Sequence, residues 1–293
     1  MSLEKHSSLS PLTRKQKSLK GKISFSGSGL FTGEKATLTL LPGEADTGVV
    51  FVRTDLAGSP FFRTDLSLVK QIPLCTVLGN GLAQVQTVEH LLAAFRAYEI
   101  DNIRVEVSGP EIPIGDGSSL PFIKMIEEVG VAELDAVVRV HTLAHPVYFS
   151  KDDVHLVALP SDEYRISYTL HYPNSKLLQA QYYSYVLGDR SFKEEIAPCR
   201  TFSFYEEIAP MIDKGLLKGG ILENAVLIKE DVVLNKEGTR FSNEMVRHKI
   251  LDMIGDFSLV GVPFLAHIVA IRSGHASNHA FAKLLLNHLR ENL

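Results

Sequence analysis

The residues best suited to chemistry lie in three short stretches. In the run from Arg247 to Asp256, His248 and Asp252 are four residues apart. On a helix that spacing brings both side chains to one face, close enough to grip a single cation. Asp256 continues the same face, while Ile250, Leu251, Ile254 and Phe257 take the other side and would anchor the helix in a core. Thr87-Val88-Glu89-His90 opens an otherwise apolar stretch with a carboxylate and an imidazole that have little packing reason to be there. Ser273-Gly274-His275-Ala276-Ser277-Asn278 places another His in a Gly-containing loop leading into a helical pattern. Two His and one carboxylate are a well-used set for a catalytic zinc ion that keeps one position for water. His90, His248 and Asp252 would supply it, with Glu89 as general base on the water. A protonated His275, held charged by Asp256, would stabilise an oxyanion and protonate a leaving amine.

Spacing alone does not decide the matter. A lone H-x-x-x-D is more often an incidental surface pair, and a His at a helix start is as often an ordinary surface residue. The same ligand set forms the facial triad of non-haem Fe(II) oxygenases. A sugar-nucleotide or lipid-binding protein could also keep such a scaffold without turnover. Glu89 beside a ligand argues against the oxygenase, and Glu89 together with His275 argues against the inert binder.

The elements that must position these residues follow from periodicity. Thr87 reads as an N-cap, with Leu91, Leu92, Phe95 and Tyr98 at helical spacing behind it, so Glu89 and His90 fall in the first turn. Strand alternation marks residues 37–41, 49–52 and 103–107, residues 110–117 read as a loop, and residues 120–129 return to helical spacing. The pattern restarts with strands at 138–140, 154–159 and 164–170. It ends in helices at 243–259 and 278–289 with a strand at 267–271 between them. A shared strands-then-helices order predicts an α+β fold of two pseudo-duplicated units, 21–132 and 138–293, with a boundary near residues 130–137. No residue-level repeat accompanies it. Residues 1–20, polar and basic, read as a disordered tail.

Composition bounds the partners. Of the 293 residues, 45% are hydrophobic and 22% charged, the balance of a protein with a substantial core. A net charge of -4 gives no basic field for nucleic acid, which is not expected as a partner. The most apolar segment, 259–271, is broken by Gly261, Pro263 and His267, well short of the roughly 20 apolar residues that span a bilayer. Cys75 and Cys199 form no CxxC pair, so neither a zinc ribbon nor a disulfide framework is expected, and a reducing cytoplasm is the simplest compartment. Cys75 reads as a small buried hydrophobe.

Taken together, the motifs resemble the UDP-3-O-acyl-N-acetylglucosamine deacetylase family, the zinc amidases of the first committed step of lipid A biosynthesis. The resemblance runs from about residue 18 to near the C-terminus. It rests on Gly29-Leu30-Phe31-Thr32-Gly33, Leu74-Cys75-Thr76, Thr87-Val88-Glu89-His90-Leu91, Asp101-Asn102-Ile103, the run from Glu111 to Ser118, Arg200-Thr201-Phe202, Lys218-Gly219-Gly220, Arg247 to Asp252, and Ser273-Gly274-His275-Ala276. It implies His90, His248 and Asp252 as ligands to one Zn(2+), or Fe(2+) in its place. It also implies Glu89 as base, His275 backed by Asp256, and Thr201 and Lys249 near the developing oxyanion. The implied fold is two α+β domains, each a sheet layered with two helices, with the site in the interdomain cleft. An insert at about 201–226 would form an apolar passage for an acyl chain, with Phe202, Phe204, Ile208, Met211, Leu216, Leu217 and Ile221 of suitable character and Gly220 beside them. The alternative for those apolar residues is plain core. The implied partner is a UDP-linked acylated N-acetylglucosamine, met by a monomer with at most peripheral membrane contact. The chain departs from the family pattern at Phe31, Ser203 and Ile221, where a His, a Gly and a Ser are usual.

Overall fold

The computed structural model describes residues 12–70, 74–81 and 83–291. The chain begins with β1 (Thr13–Leu19), β2 (Ile23–Ser28), β3 (Lys35–Pro42), β4 (Val49–Arg53) and β5 (Phe61–Arg63). A small sheet of β6 (Val69–Lys70), β7 (Val77–Asn80) and β8 (Ala83–Gln86) leads into α1 (Glu89–Ala97), β9 (Ile103–Val107) and α2 (Leu120–Val129). Next come β10 (Val131–Arg139), β11 (His141–Thr142), β12 (Val147–Lys151), β13 (Val154–Leu159), β14 (Tyr164–Tyr172) and β15 (Gln179–Val186). After the short α3 (Asp189–Ser191), β16 (Phe202–Phe204), α4 (Tyr205–Asp213), β17 (Val226–Lys229) and β18 (Val232–Val233) form a unit of their own. The chain closes with α5 (Glu244–Ser258), β19 (Phe264–Ile271) and α6 (His275–Glu291).

The fold is α+β, and its two main sheets repeat one topology. Their strand orders are β2-β3-β9-β4-β5 and β12-β13-β19-β14-β15, with β11 beside β19 off that path. Successive neighbours pair antiparallel, antiparallel, parallel and antiparallel in both. In each half one helix precedes the central strand and one follows it, α1 and α2 around β9, α5 and α6 around β19. The pseudo-duplication expected from element order is therefore present in the backbone. Strand alternation supplies the apolar faces: Leu38 and Leu40 in β3 and Val105 and Val107 in β9 are buried, as are Leu156 and Ala158 in β13 and Ile268 and Ala270 in β19.

Helix α5 packs against α1, α6, β14 and β15. A helix covered on most sides must be apolar nearly all round. Met245, Val246, Ile250, Leu251, Met253, Ile254 and Phe257 are all buried, so the polar residues it nonetheless buries, Glu244, His248, Asp252 and Asp256, stand out.

Several expectations need correction. Residues 13–19 are not a tail but β1, paired antiparallel with β10, and residues 1–11 of the expected tail lie outside the described residues. Its polar side chains find distant partners: Arg14 donates to both Asp101 carboxylate oxygens (2.7 and 2.8 Å), and Gln16 bonds Asp46 and Asn102. Of the expected boundary stretch, residues 131–137 belong to β10, the partner of β1. The last helix begins at His275, three residues before the periodic pattern does. Thr87 is not an N-cap. Val88 is, and Thr87 has a left-handed φ of 57° with its hydroxyl donated to Glu111 (2.8 Å).

Candidate active site

Helices α1 and α5 bring the three expected ligands together. One donor atom each of His90, His248 and Asp252 lies within 4.8 Å of the others, and all three residues are buried. His248 Nε2 is 3.2 Å and His90 Nε2 3.7 Å from Asp252 Oδ1. The His248 Nδ1–H donates to the Cys199 carbonyl (3.0 Å), which fixes the tautomer and turns the Nε2 lone pair toward Asp252. Burial pushes the His248 pKa down to about 3, so the ring is neutral, as a metal ligand must be. Asp252 Oδ1 is buried with no hydrogen-bond partner in the protein, while Oδ2 accepts from the Lys249 ammonium (2.8 Å). Burial alone would raise the Asp252 carboxyl, yet His248 and Lys249 beside it hold it well below the usual range. A buried carboxylate oxygen left without a donor, between two imidazole nitrogens, is satisfied by a cation. The residues present therefore fit a single metal ion of the type that takes nitrogen and oxygen ligands.

Glu89 is 2% exposed in the first turn of α1, one residue before His90. Its Oε2 accepts the Thr76 N–H (3.0 Å), and its Oε1 is 3.8 Å from His275 Nε2. Burial raises its pKa, which moves a carboxylate toward the range of a useful general base. Across from it, His275 Nδ1–H donates to Asp256 Oδ2 (2.9 Å). Burial would lower the His275 pKa, but Asp256 outweighs it and lifts the value to about 9, so the ring is cationic at neutral pH.

Asp256 is fully buried and accepts four hydrogen bonds. They come from Thr76 Oγ1 (2.6 Å) and His279 Nε2 (3.1 Å) on Oδ1, and from His275 Nδ1 and Asn278 Nδ2 (2.9 Å each) on Oδ2. Burial disfavours its charge, yet His275 and His279 hold its pKa far below the usual range. Thr76, Asn278 and His279 were not foreseen as site residues. Thr76 gives its N–H to Glu89 and its hydroxyl to Asp256, joining the two carboxylates. His279 and Asn278 carry a signal only in hindsight, as buried polar residues one turn along α6 from His275.

The neighbouring loops are pinned just as firmly. Arg200, 1% exposed, donates its own N–H and Nε to Glu244 Oε1 (2.9 Å each) and its two terminal nitrogens to Glu237 and the Gly238 carbonyl (2.7 Å each). That clamp fixes Cys199, the acceptor for His248, on one side, and Thr201 and Phe202 on the other. Tyr168 in β14 donates to the Ser273 carbonyl and holds the turn before His275. Cys75 is buried, its thiol pushed up by burial, and serves as packing.

These residues floor a cavity of about 950 Å³. Glu89, His90, His248, Asp252, His275, Thr201 and Lys249 all reach it, whereas Asp256 stands behind His275. Its walls are mostly apolar: Leu30 and Phe31 from the loop after β2, and Phe202, Ile208, Ile212, Leu217, Ile221 and Leu222 from the unit around α4, with Gly220 beside them; Lys70, Lys151 and Asp152 add charge elsewhere in the lining. That unit is a parallel β16–β17 pair joined through α4; α4 buries none of its residues and gives Ile208 and Ile212 to the cavity wall, while Phe202 and Phe204 of β16 also pack against the core. Of the expected passage residues, Phe204 and Met211 do not line the cavity, and Leu216 is a third exception. It follows the end of α4, its N–H bonds back to the Met211 carbonyl (2.9 Å), and its side chain is 49% exposed outside the lining. The three departures from the family pattern, Phe31, Ser203 and Ile221, all line the cavity, so they change its walls and leave its floor intact. Lys249 lines the same cavity, with its ammonium donating to Asp252 Oδ2 (2.8 Å).

A floor of desolvated proton-transfer groups under walls fit for an aliphatic chain is what a hydrolase of an amphiphilic substrate requires. The family model LpxC, described as UDP-3-O-acyl N-acetylglycosamine deacetylase, matches residues 16–287, and the chain belongs to that family. Among similar proteins, the UDP-3-O-acyl-N-acetylglucosamine deacetylase of Chlamydia felis (strain Fe/C-56) is 49% identical over 279 residues, 95% of this chain and 99% of its own. The proteins of the same name from Chlamydia pneumoniae and Chlamydia trachomatis serovar L2 are 46% and 47% identical, each over 95% of this chain and 99% and 97% of their own. This is therefore an N-deacetylase and a metalloenzyme family member.

Proposed function

We propose that this chain hydrolyses the acetamide of a UDP-3-O-acyl-N-acetylglucosamine, releasing acetate and the free amine, as the committed step of lipid A biosynthesis. The observation that carries the reading is the convergence of His90, His248 and Asp252 with Glu89 and His275 on the floor of one apolar-walled cavity. Those three residues would hold zinc, or Fe(2+) on the same donors, and the ion would supply Lewis-acid polarisation of the carbonyl and acidification of water. Glu89 takes a proton from the attacking water, which its raised pKa and its distance from His275 allow. His275, cationic through Asp256, faces the developing oxyanion and then delivers its Nε2 proton to the departing amine. Thr201 lies at the same floor as a further donor, and Lys249 keeps Asp252 oriented and charged. The acyl chain runs between Phe31 and the wall formed by Phe202, Leu217 and Ile221.

The same reading divides the chain into domains at 21–132 and 138–293, with the acyl-passage insert at about 201–226 and the site in the cleft between them. Contact of α1 with α5 and the two sheets of like topology support it. Among the described residues no helix is long and apolar enough to cross a membrane. We take the enzyme to act as a cytoplasmic monomer.

The test is acetate release from the UDP-linked substrate by metal-analysed protein. One zinc or iron per chain and turnover that chelation abolishes are expected. Folded, metal-loaded protein that releases no acetate would sink the reading.

A further inference from the structure

Glu111, in the loop between β9 and α2, is 1% exposed and outside the catalytic set. Every partner it has is a donor. Oε1 accepts from the Thr87 hydroxyl (2.8 Å) and the Phe31 N–H (3.0 Å), and Oε2 from the Thr32 N–H and hydroxyl (2.8 Å each). Two structures thus hang on one carboxylate. The first is the loop at residues 29–33, whose Leu30 and Phe31 wall the cavity. A Cβ at Gly29 would lie 2.2 Å from Glu111 Oε2, so the carboxylate enters only because residue 29 has no side chain.

That loop in turn carries the opposite wall. Lys218 N–H donates to the Phe31 carbonyl and Gly219 N–H to the Leu30 carbonyl (3.1 Å each). The backbones touch so closely that a Cβ at Gly219 would sit 1.9 Å from the Gly29 oxygen. Leu217, Gly220 and Ile221 of the acyl wall are therefore registered on residues 29–33.

The second structure is the entry to α1. Thr87 is β-branched, yet its φ is 57°, a conformation such residues adopt only when the surroundings enforce it. The Glu111–Thr87 bond is part of that enforcement, two residues before Glu89. We infer that Glu111 is a positioning residue that keeps the acyl-chain wall in register with the general base, its Thr32 arm acting on chain binding and its Thr87 arm on the chemical step. This rests on the deacetylase reading.

The experiment uses the full-length, zinc-loaded protein and two substrates, one with a long 3-O-acyl chain and its 3-O-acetyl analogue. Thr32→Val removes the only side-chain bond of one arm, leaving the Phe31 and Thr32 N–H groups on the carboxylate, with the side-chain shape kept. It should raise KM for the long chain about fivefold, with kcat, and KM for the 3-O-acetyl analogue, within about twofold of wild type. Thr87→Val removes the other arm and should lower kcat roughly tenfold on both substrates, and Thr87→Ser should restore it. Glu111→Gln should show both effects; should it fail to fold, the two threonine variants still decide. Equal losses on both substrates from Thr32→Val and Thr87→Val, tracking a fall in Tm, would reduce Glu111 to a fold-stabilising residue and overturn the inference. Wild-type kinetics in both variants would overturn it too. Wild-type protein inactive on both substrates would instead remove the deacetylase reading, and the inference with it.

Discussion

Gly255 of α5 meets the main chain of Glu89 on α1 so closely that a Cβ at 255 would lie 2.1 Å from the Glu89 carbonyl oxygen. The approach of the two helices is set by the missing side chain, and the two sides of the site depend on it: Glu89 and His90 from α1, Asp252 and Asp256 from α5. Because the obstacle is backbone, Gly255→Ala must move one helix. Overpacking of this kind costs about 1–3 kcal/mol, which urea denaturation would read. Parting the donors by even a fraction of an ångström should lower bound metal, and a misplacement of about 1 Å can cost roughly 10²-fold in rate. Wild-type metal content and turnover in the alanine variant would show that this contact does not align the site.

Glu89 lies beside the donor set but outside it, so metal binding and proton transfer separate. Glu89→Gln keeps the shape and the acceptor for the Thr76 N–H. Bound metal should remain at the wild-type level while kcat falls about 10²–10⁴-fold, the usual contribution of a positioned general base. Single-turnover acetate release with metal analysis on the same sample checks both halves. Loss of metal in step with activity would recast Glu89 as a ligand or its support.

The His275–Asp256 pair makes a pH-dependent contribution to stability whose sign can be worked out. The folded pKa of His275, about 9, lies above its ordinary 6.5, so its contribution is full below about pH 6.5 and is lost as pH rises toward 9. Asp256 is depressed below 3.8, so its contribution is present above that value and lost as the medium is acidified. Metal-free protein should thus melt well above a metal-free His275→Gln variant between about pH 4 and 6.5, with the gap closing by pH 9. A gap that widened toward alkaline pH would contradict a cationic His275.

How far the site was legible in the sequence depends on the range of each interaction. His248, Asp252 and Asp256 share a helix face, and local spacing is enough to group them. Joining them to His90 and His275 needed many motifs in order, because no periodicity reports that α1 crosses α5 at Gly255. Thr76 and His279 escaped notice since their value lies in a carboxylate 180 and 23 residues away, and a Thr or a second His on a helix reads as ordinary. Glu111 escaped for the same reason. Strand β1 carries no legible signal because TRKQKSL lacks an apolar alternation; its Arg14 and Gln16 side chains find their partners in the distant Asp101, Asp46 and Asn102. Helix α2 was legible because it buries one continuous apolar face, and α1 because it is apolar nearly all round behind Glu89 and His90.

The Arg200–Glu244 pair is a case where stability and function should come apart. Both side chains are buried, at 1% and 0% exposure, and Glu244 also accepts the N–H groups of Arg200 and Arg240 (2.9 and 2.6 Å). Glu244→Gln leaves the guanidinium inside without its full counter-charge, and breaking one partner of such a pair costs about 3–5 kcal/mol. Replacing both partners, Arg200→Met with Glu244→Leu, removes the buried charges and should recover part of that loss. Activity should not return with it. The clamp fixes residue 199, whose carbonyl takes the His248 Nδ1–H, and residues 201 and 202 at the cavity floor. Equilibrium denaturation of both variants, set against bound metal and kcat, tests this directly: stability and metal content that recovered together would mean the pair serves the fold alone.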